Sequence, residues 1–89
     1  IGNLINLKEL SLNRNNLTSL PKEISQFTNL LILQLNANNF NCIPLEILKI
    51  KNLKKLSIYR NRINFIPKEI KELEELESLN ISYNSLYQF

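Results

Sequence analysis

A 23-residue unit recurs along this chain with no insertion or deletion, and it limits the fold more than any other feature. Since each unit of a repeat chain buries its apolar side only against its neighbours, the units must stack in one direction. We therefore expect residues 1–89 to form a single domain. The copies, with partial ones at both ends, occupy residues 1–6, 7–29, 30–52, 53–75 and 76–89.

Two spacings of apolar residues occur within each unit, counted here with Leu7 as position 1. Positions 4 and 6 are apolar between polar neighbours, which predicts a strand with one buried face. Positions 18 and 21 are apolar three residues apart, which predicts a short helical turn on the opposite surface. We expect one parallel sheet, with strands near residues 9–12, 32–35, 55–58 and 78–81 and helical turns over Lys22–Phe27, Leu45–Ile50 and Lys68–Leu73.

A proline precedes each predicted helical turn, at position 15 of the unit. Proline suits the start of a helix, because the first N–H groups of a helix have no intrahelical partner. The prolines therefore mark the change from strand to helix in each copy. They are Pro21, Pro44 and Pro67.

Asparagine occupies position 9 of every copy. The position lies between apolar columns where the chain leaves the strand, so we expect the side chain to be buried. An amide both donates and accepts, and it can bond to turn backbone in its own copy and in the adjacent one. We favour a structural ladder over a polar binding row. The ladder residues are Asn15, Asn38, Asn61 and Asn84.

The column pattern LxxLxLxxNxLxxLPxxIxxLxx resembles the leucine-rich repeat family along the whole chain. The resemblance implies an α/β right-handed solenoid, with a parallel sheet on the concave face and short helices or 3-10 turns on the convex face. It also implies a module that binds proteins through its concave face. The Lys-, Asn- and Ile-rich composition of the repeats looks most like that of leucine-rich repeat proteins of spirochaetes such as Leptospira. That narrower likeness implies a secreted or surface-exposed bacterial protein and a host surface or matrix protein as partner; a cytoplasmic location is the alternative.

Residues able to perform catalysis are scarce. The chain has no His and no Asp, so the common catalytic triads and most metal sites cannot be assembled. A single glycine, Gly2, leaves no Gly-rich phosphate loop. Cys42 has no neighbouring base in the pattern and is expected to be a spectator thiol, with an intermolecular disulfide as the alternative. We predict no enzyme activity, no cofactor and no metal, and the apolar runs are too short for a membrane span.

Outward-facing residues flank the buried strand positions and form the expected concave face. Tyr and Arg are favoured at interface centres, although here they could also pack as ordinary cross-strand neighbours. The net charge of +3 is too slight, and the basic residues too dispersed, to favour nucleic acid. The residues predicted to contact a protein partner are Ile32, Gln34, Asn36, Lys55, Tyr59, Arg60, Arg62, Asn80 and Tyr83.

Apolar residues also stand at both ends of the repeat array, where solenoids usually carry polar caps. This pattern supports an alternative function: a structural or self-associating unit, or a piece of a longer solenoid, that forms homo-oligomers through its open ends. The residues concerned are Ile1, Leu4 and Leu7 at one end and Leu79, Ile81, Leu86, Tyr87 and Phe89 at the other.

Overall fold

Four short parallel strands, one from each copy, form a single sheet in the computed structural model, which describes residues 6–86. Strands pair in sequence order, and each residue lies beside the residue one unit further along, as Leu10 does with Leu33. The predicted parallel sheet is confirmed, with each strand ending one residue earlier than expected. The strands are β1 (Glu9–Ser11), β2 (Ile32–Gln34), β3 (Lys55–Ser57) and β4 (Ser78–Asn80).

Three 3-10 helices lie on the opposite side, and each follows a proline in extended conformation. In the first, the N–H of Phe27 donates to the carbonyl of Ile24 at 3.1 Å, which closes the last turn. An apolar spacing of three suits a helix with three residues per turn. No helix within residues 6–86 has the length and apolar character needed to cross a bilayer. The helices are Lys22–Gln26, Leu45–Lys49 and Lys68–Glu72.

The core runs between the sheet and the helices and is most complete in the second copy. All seven apolar columns predicted from the repeat are at most 2% exposed there. Their members in this copy are Leu30, Leu33, Leu35, Phe40, Ile43, Ile47 and Ile50. Burial falls towards both edges: Leu10 in β1 and Leu79 in β4 are only half-buried. The end residues Ile1, Leu4, Tyr87 and Phe89 lie outside the described part of the chain.

Asparagine side chains at position 9 connect neighbouring turns. The Oδ1 atom of Asn38 accepts the N–H groups of Asn15 and Leu17, both at 2.9 Å. Its Nδ2 atom donates to the carbonyls of Leu12 and Leu35 at 3.0 and 3.1 Å. The Asn38 amide therefore bonds to backbone in its own copy and in the copy before it, and so holds two turns at a fixed separation.

Asn61 and Asn84 repeat this arrangement, but Asn15 does not. Asn61 is buried, like Asn38, and Asn84 is half-buried. The expected burial of Asn15 is wrong, because its side chain is exposed and donates to the carbonyl of Asn13 in its own copy. The amides of Asn38 and Asn61 bond to backbone of the copy before them, whereas that of Asn15 bonds within its own copy.

Candidate functional site

A left-handed residue ends each turn on the concave face, at position 8 of the unit. Its φ lies between 57° and 62° in all four copies, at Arg14, Ala37, Arg60 and Tyr83. A non-glycine residue in this region costs about 1–2 kcal/mol. In the first three copies, a hydrogen bond from the position-8 N–H to a carbonyl of the next copy, such as Arg60 to Ser82 at 3.0 Å, supports the turn. The side chains at this position therefore form one regular column.

Two members of this column are in contact. The guanidinium carbon of Arg60 lies 4.9 Å from the centroid of the Tyr83 ring. Tyr83 is 74% exposed and Arg60 is also exposed, so the pair stands on the surface rather than in the core. A guanidinium over an aromatic face is attracted by the ring quadrupole, typically by about 0.5–1 kcal/mol at exposed sites.

The third and fourth copies carry the other residues predicted for this part of the concave face. Lys55 begins β3, Tyr59 immediately precedes Arg60 and is half-buried, and Arg62 follows the buried Asn61. Asn80, at the end of β4, is exposed. We call Lys55, Tyr59, Arg60, Arg62, Asn80 and Tyr83 the C-terminal concave surface.

Polar side chains of the first two copies bond to one another instead. The Nδ2 atom of Asn13 donates to Ser11 Oγ at 3.0 Å and to Gln34 Oε1 at 3.2 Å. The Oδ1 atom of Asn13 accepts the N–H of Asn36 at 2.7 Å. These contacts form a second asparagine ladder, at position 7, which sequence reasoning missed. A signal was present, since position 7 is Asn in two consecutive copies.

Asn36 continues this second ladder, and the prediction that it faces a partner requires correction. It is only 8% exposed. Its Oδ1 atom accepts the hydroxyl of Ser57 at 2.7 Å and the N–H of Tyr59 at 2.9 Å. The amide is thus already used in joining β2 to the turn after β3. Gln34, half-buried and bonded to Asn13, is similarly engaged within the sheet.

The second ladder ends at Tyr59, whose side chain offers no amide oxygen to the following copy. The N–H of Ser82, which stands one unit after Tyr59, donates instead to Asn80 Oδ1 in its own copy at 3.0 Å. Polar groups on the concave face are therefore internally bonded in the first two copies. The C-terminal concave surface starts where that bonding stops.

Two hollows lie away from the concave face. One, of about 440 Å³, is lined by Lys51, Asn52, Glu72, Glu74 and Glu75, and an exposed ion pair of 3.8 Å joins Lys51 to Glu72 there. Among residues 6–86, no group of three or more His, Cys, Asp or Glu side chains is arranged to hold a metal ion.

The second hollow, of about 230 Å³, includes the exposed free thiol of Cys42 and the side chain of Leu45, which is 65% exposed. It lies before the second helix, on the opposite side of the molecule from the sheet. The residues that line it include the carboxylate of Glu46 and no imidazole. Neither hollow adjoins the C-terminal concave surface.

A family model described as a leucine-rich repeat region matches residues 1–88. The chain belongs to the leucine-rich repeat family. The resemblance read from the repeat columns is thereby confirmed, and the sheet and helices described above form a leucine-rich repeat solenoid. No curated protein matches the chain.

This leucine-rich repeat chain is similar to solved structures of proteins from different organisms. A leucine-rich repeat protein of Leptospira interrogans is 35% identical with a TM-score of 0.79, over 93% of this chain and 27% of that one. The plant peptide hormone receptor RGFR1, solved in complex with RGF2, is 39% identical with a TM-score of 0.79. That match covers 94% of this chain and 14% of the receptor. The chain thus spans about a quarter of the Leptospira protein and about a seventh of the receptor.

Proposed function

We propose that this chain is a non-enzymatic protein-binding module that holds its partner on the C-terminal concave surface. The observation that carries the proposal is the exposed Arg60–Tyr83 pair, beside which the second asparagine ladder, at position 7, does not continue. Tyr and Arg combine large contact area with directional hydrogen bonding, and they dominate the centres of protein interfaces. The family supports this assignment, since one leucine-rich repeat neighbour is a receptor in complex with a peptide hormone.

Photo-crosslinking from the two faces tests where a partner sits. A photoreactive phenylalanine analogue replaces Tyr83 in one version of the chain and Leu45, an exposed convex residue, in another. We expect a protein adduct from the position of Tyr83 and none from that of Leu45. Adducts that form equally from both positions would mean that the concave face has no special role.

Affinity measurements with the recovered partner then test the residues themselves. We expect Arg60→Ala and Tyr83→Ala each to weaken binding by at least about tenfold, or roughly 1.4 kcal/mol. Lys68→Ala provides the control, because Lys68 is an exposed cation on a convex helix of the third copy. Binding that survives both concave substitutions would refute the assignment of this surface.

We further propose that the partner is a host surface or matrix protein and that the chain is secreted or surface-exposed. The support is similarity to a Leptospira interrogans leucine-rich repeat protein, together with the Lys-, Asn- and Ile-rich composition. Antibody labelling of intact cells of the source organism, compared with permeabilised cells, tests the location. Labelling that requires permeabilisation would favour the cytoplasmic alternative and would refute the proposal of a host protein as partner.

Self-association through the ends of the solenoid is a second candidate function. Leu79 and Ile81, at the β4 edge, are half-buried, whereas Leu56 and Ile58 one copy earlier are 1% and 0% exposed. Apolar residues on an unpaired strand edge favour contact with a second copy. Light scattering at micromolar concentration tests for self-association. A molecular mass that rises with protein concentration, equally in the unaltered chain and in the Tyr83→Ala variant, supports contacts through the ends. A constant monomer mass excludes them.

A further inference from the structure

Charge is distributed unevenly between the two faces of the solenoid. Four of the eleven Lys and Arg residues, but one of the eight Glu residues, stand at positions 3, 5, 7, 8 and 10 of the unit. These positions therefore carry the whole net charge of +3, while seven lysines balance seven glutamates elsewhere. The five charged residues on the concave side are Arg14, Lys55, Arg60, Arg62 and Glu9.

Three of the four cations, Lys55, Arg60 and Arg62, belong to the C-terminal concave surface, and they have no carboxylate partner among residues 6–86. The ion pair in that part of the chain joins Lys51 to Glu72 on the other side of the molecule. Glu9 is too far away to neutralise them, because β1 and β3 are separated by β2 and hence by about 10 Å. The surface thus presents uncompensated positive charge next to an aromatic ring.

We propose that the C-terminal concave surface recognises an acidic, extended peptide segment of its protein partner; this inference rests on the proposed function. The carboxylates of the segment bind the N–H donors of Arg60 and the ammonium of Lys55, since an Arg–carboxylate contact is bidentate and charge-assisted. The apolar parts of the segment pack on the rings of Tyr59 and Tyr83. The negative charge of such a segment complements the positive charge of this surface, which is why an acidic segment is the proposed ligand.

The size of the surface also suits a short peptide. The C-terminal concave surface draws its residues from β3, β4 and the turns after them, and the four-stranded sheet that it belongs to spans roughly 14 Å at about 4.8 Å between strands, equal to about four residues of extended chain. Side chains of an extended peptide alternate, so two carboxylates two residues apart point to the same side. Nucleic acid fits less well, because its binding relies on neutralising many backbone phosphates and this surface offers three cations.

Fluorescence anisotropy with defined probes tests the inference on the full chain. The probe is a labelled ten-residue peptide of alternating Glu and Ser, and its neutral counterpart carries Gln in place of every Glu. We expect the acidic peptide to bind at least about tenfold more tightly than the neutral one, with affinity falling as salt is raised. A single-stranded oligonucleotide of equal charge is the third ligand. Tighter binding of the oligonucleotide than of the acidic peptide would overturn the inference in favour of nucleic acid.

Two double variants with the same change in net charge separate recognition from general attraction. Lys55→Gln with Arg60→Gln removes two positive charges from the concave side, and Lys68→Gln with Lys71→Gln removes two from a convex helix of the same copy. We expect the first to weaken binding of the acidic peptide at least about tenfold and the second less than about twofold. Circular dichroism must show that both variants are folded. Equal losses would show that net charge alone attracts the probe and would refute a specific surface.

The outcomes also distinguish this inference from the proposed function. If Tyr83→Ala abolishes binding of the crosslinked partner but the acidic peptide does not bind, the concave surface binds protein through other chemistry and the acidic segment is wrong. If the acidic peptide binds as predicted but Tyr83→Ala leaves the affinity for the crosslinked partner unchanged, the C-terminal concave surface does not bind that partner. The proposed function is then wrong for that partner.

Discussion

Replacing Asn38 with alanine tests the physical role of the asparagine ladder in this solenoid. The Asn38 amide accepts the N–H groups of Asn15 and Leu17 and donates to the carbonyls of Leu12 and Leu35. Alanine removes the acceptor and the donors together and leaves these backbone groups without that partner. Because the groups lie between stacked turns, water reaches them poorly.

The expected cost follows from the number of backbone groups left unpaired. Each buried polar group without a partner costs about 1–3 kcal/mol. The two N–H groups are only partly buried, so we take the lower end of that range for each and add a smaller amount for the carbonyls. The sum is about 2–4 kcal/mol, a large part of the roughly 5–15 kcal/mol that stabilises a typical domain. Asn15→Ala should cost less than about 1 kcal/mol, because Asn15 is exposed.

Urea denaturation followed by far-ultraviolet circular dichroism measures both variants. With a slope of about 1 kcal/mol per molar urea, the midpoint of Asn38→Ala should fall by about 2–4 M. Asn84 is half-buried and supplies an intermediate case if Asn38→Ala is too unstable to measure. The expected order of destabilisation is Asn38, then Asn84, then Asn15. Equal losses at Asn38 and Asn15, within about 0.5 kcal/mol, would show that burial of the amide does not determine its contribution.

Three further substitutions test the turn, the core and the end of the second ladder. Ala37→Gly should raise the free energy of unfolding by about 0.5–1 kcal/mol, because Ala37 has φ of 58° and glycine adopts that conformation without steric cost; urea titration measures this. Leu33→Ala should cost about 2–5 kcal/mol in the same assay, and Leu10→Ala clearly less, since Leu33 is 0% exposed and Leu10 is half-buried. Tyr59→Asn should extend the second ladder, so hydrogen exchange at the Ser82 amide should slow while binding of the acidic peptide weakens; unchanged exchange would contradict the ladder.

Much of this fold was predictable because the same apolar positions must be buried in every 23-residue unit. Apolar residues at a spacing of two or three indicate a strand or a helical turn, and proline fixes the boundary between them. Repetition makes the prediction secure, since each column is observed several times. The burial of all seven columns in the second copy follows directly from that pattern.

Properties that depend on neighbouring copies were harder to predict. Asn15 has the same residue and local pattern as Asn38, yet it is exposed and its amide bonds to the carbonyl of Asn13 in its own copy. Asn36 was expected to point outward on the concave face and contact a partner, because position 7 flanks the buried strand residues. Its burial depends on an amide oxygen that reaches the N–H of Tyr59 one unit away. The sequence pattern does not contain the direction of that side chain.

The end of the second ladder also explains why the concave face is not uniform. An outward polar side chain on this sheet can satisfy its hydrogen bonds with the adjacent copy or with a partner, but a given donor or acceptor cannot do both fully. Asn13 and Asn36 are engaged by the adjacent copy. At the same position, Tyr59 gives up the inter-copy bond, and the N–H of Ser82 is satisfied locally by Asn80 instead. The third and fourth copies therefore share fewer side-chain hydrogen bonds at position 7 and expose aromatic and cationic groups instead. Binding of a partner should accordingly be weakest where the copies are best bonded to one another.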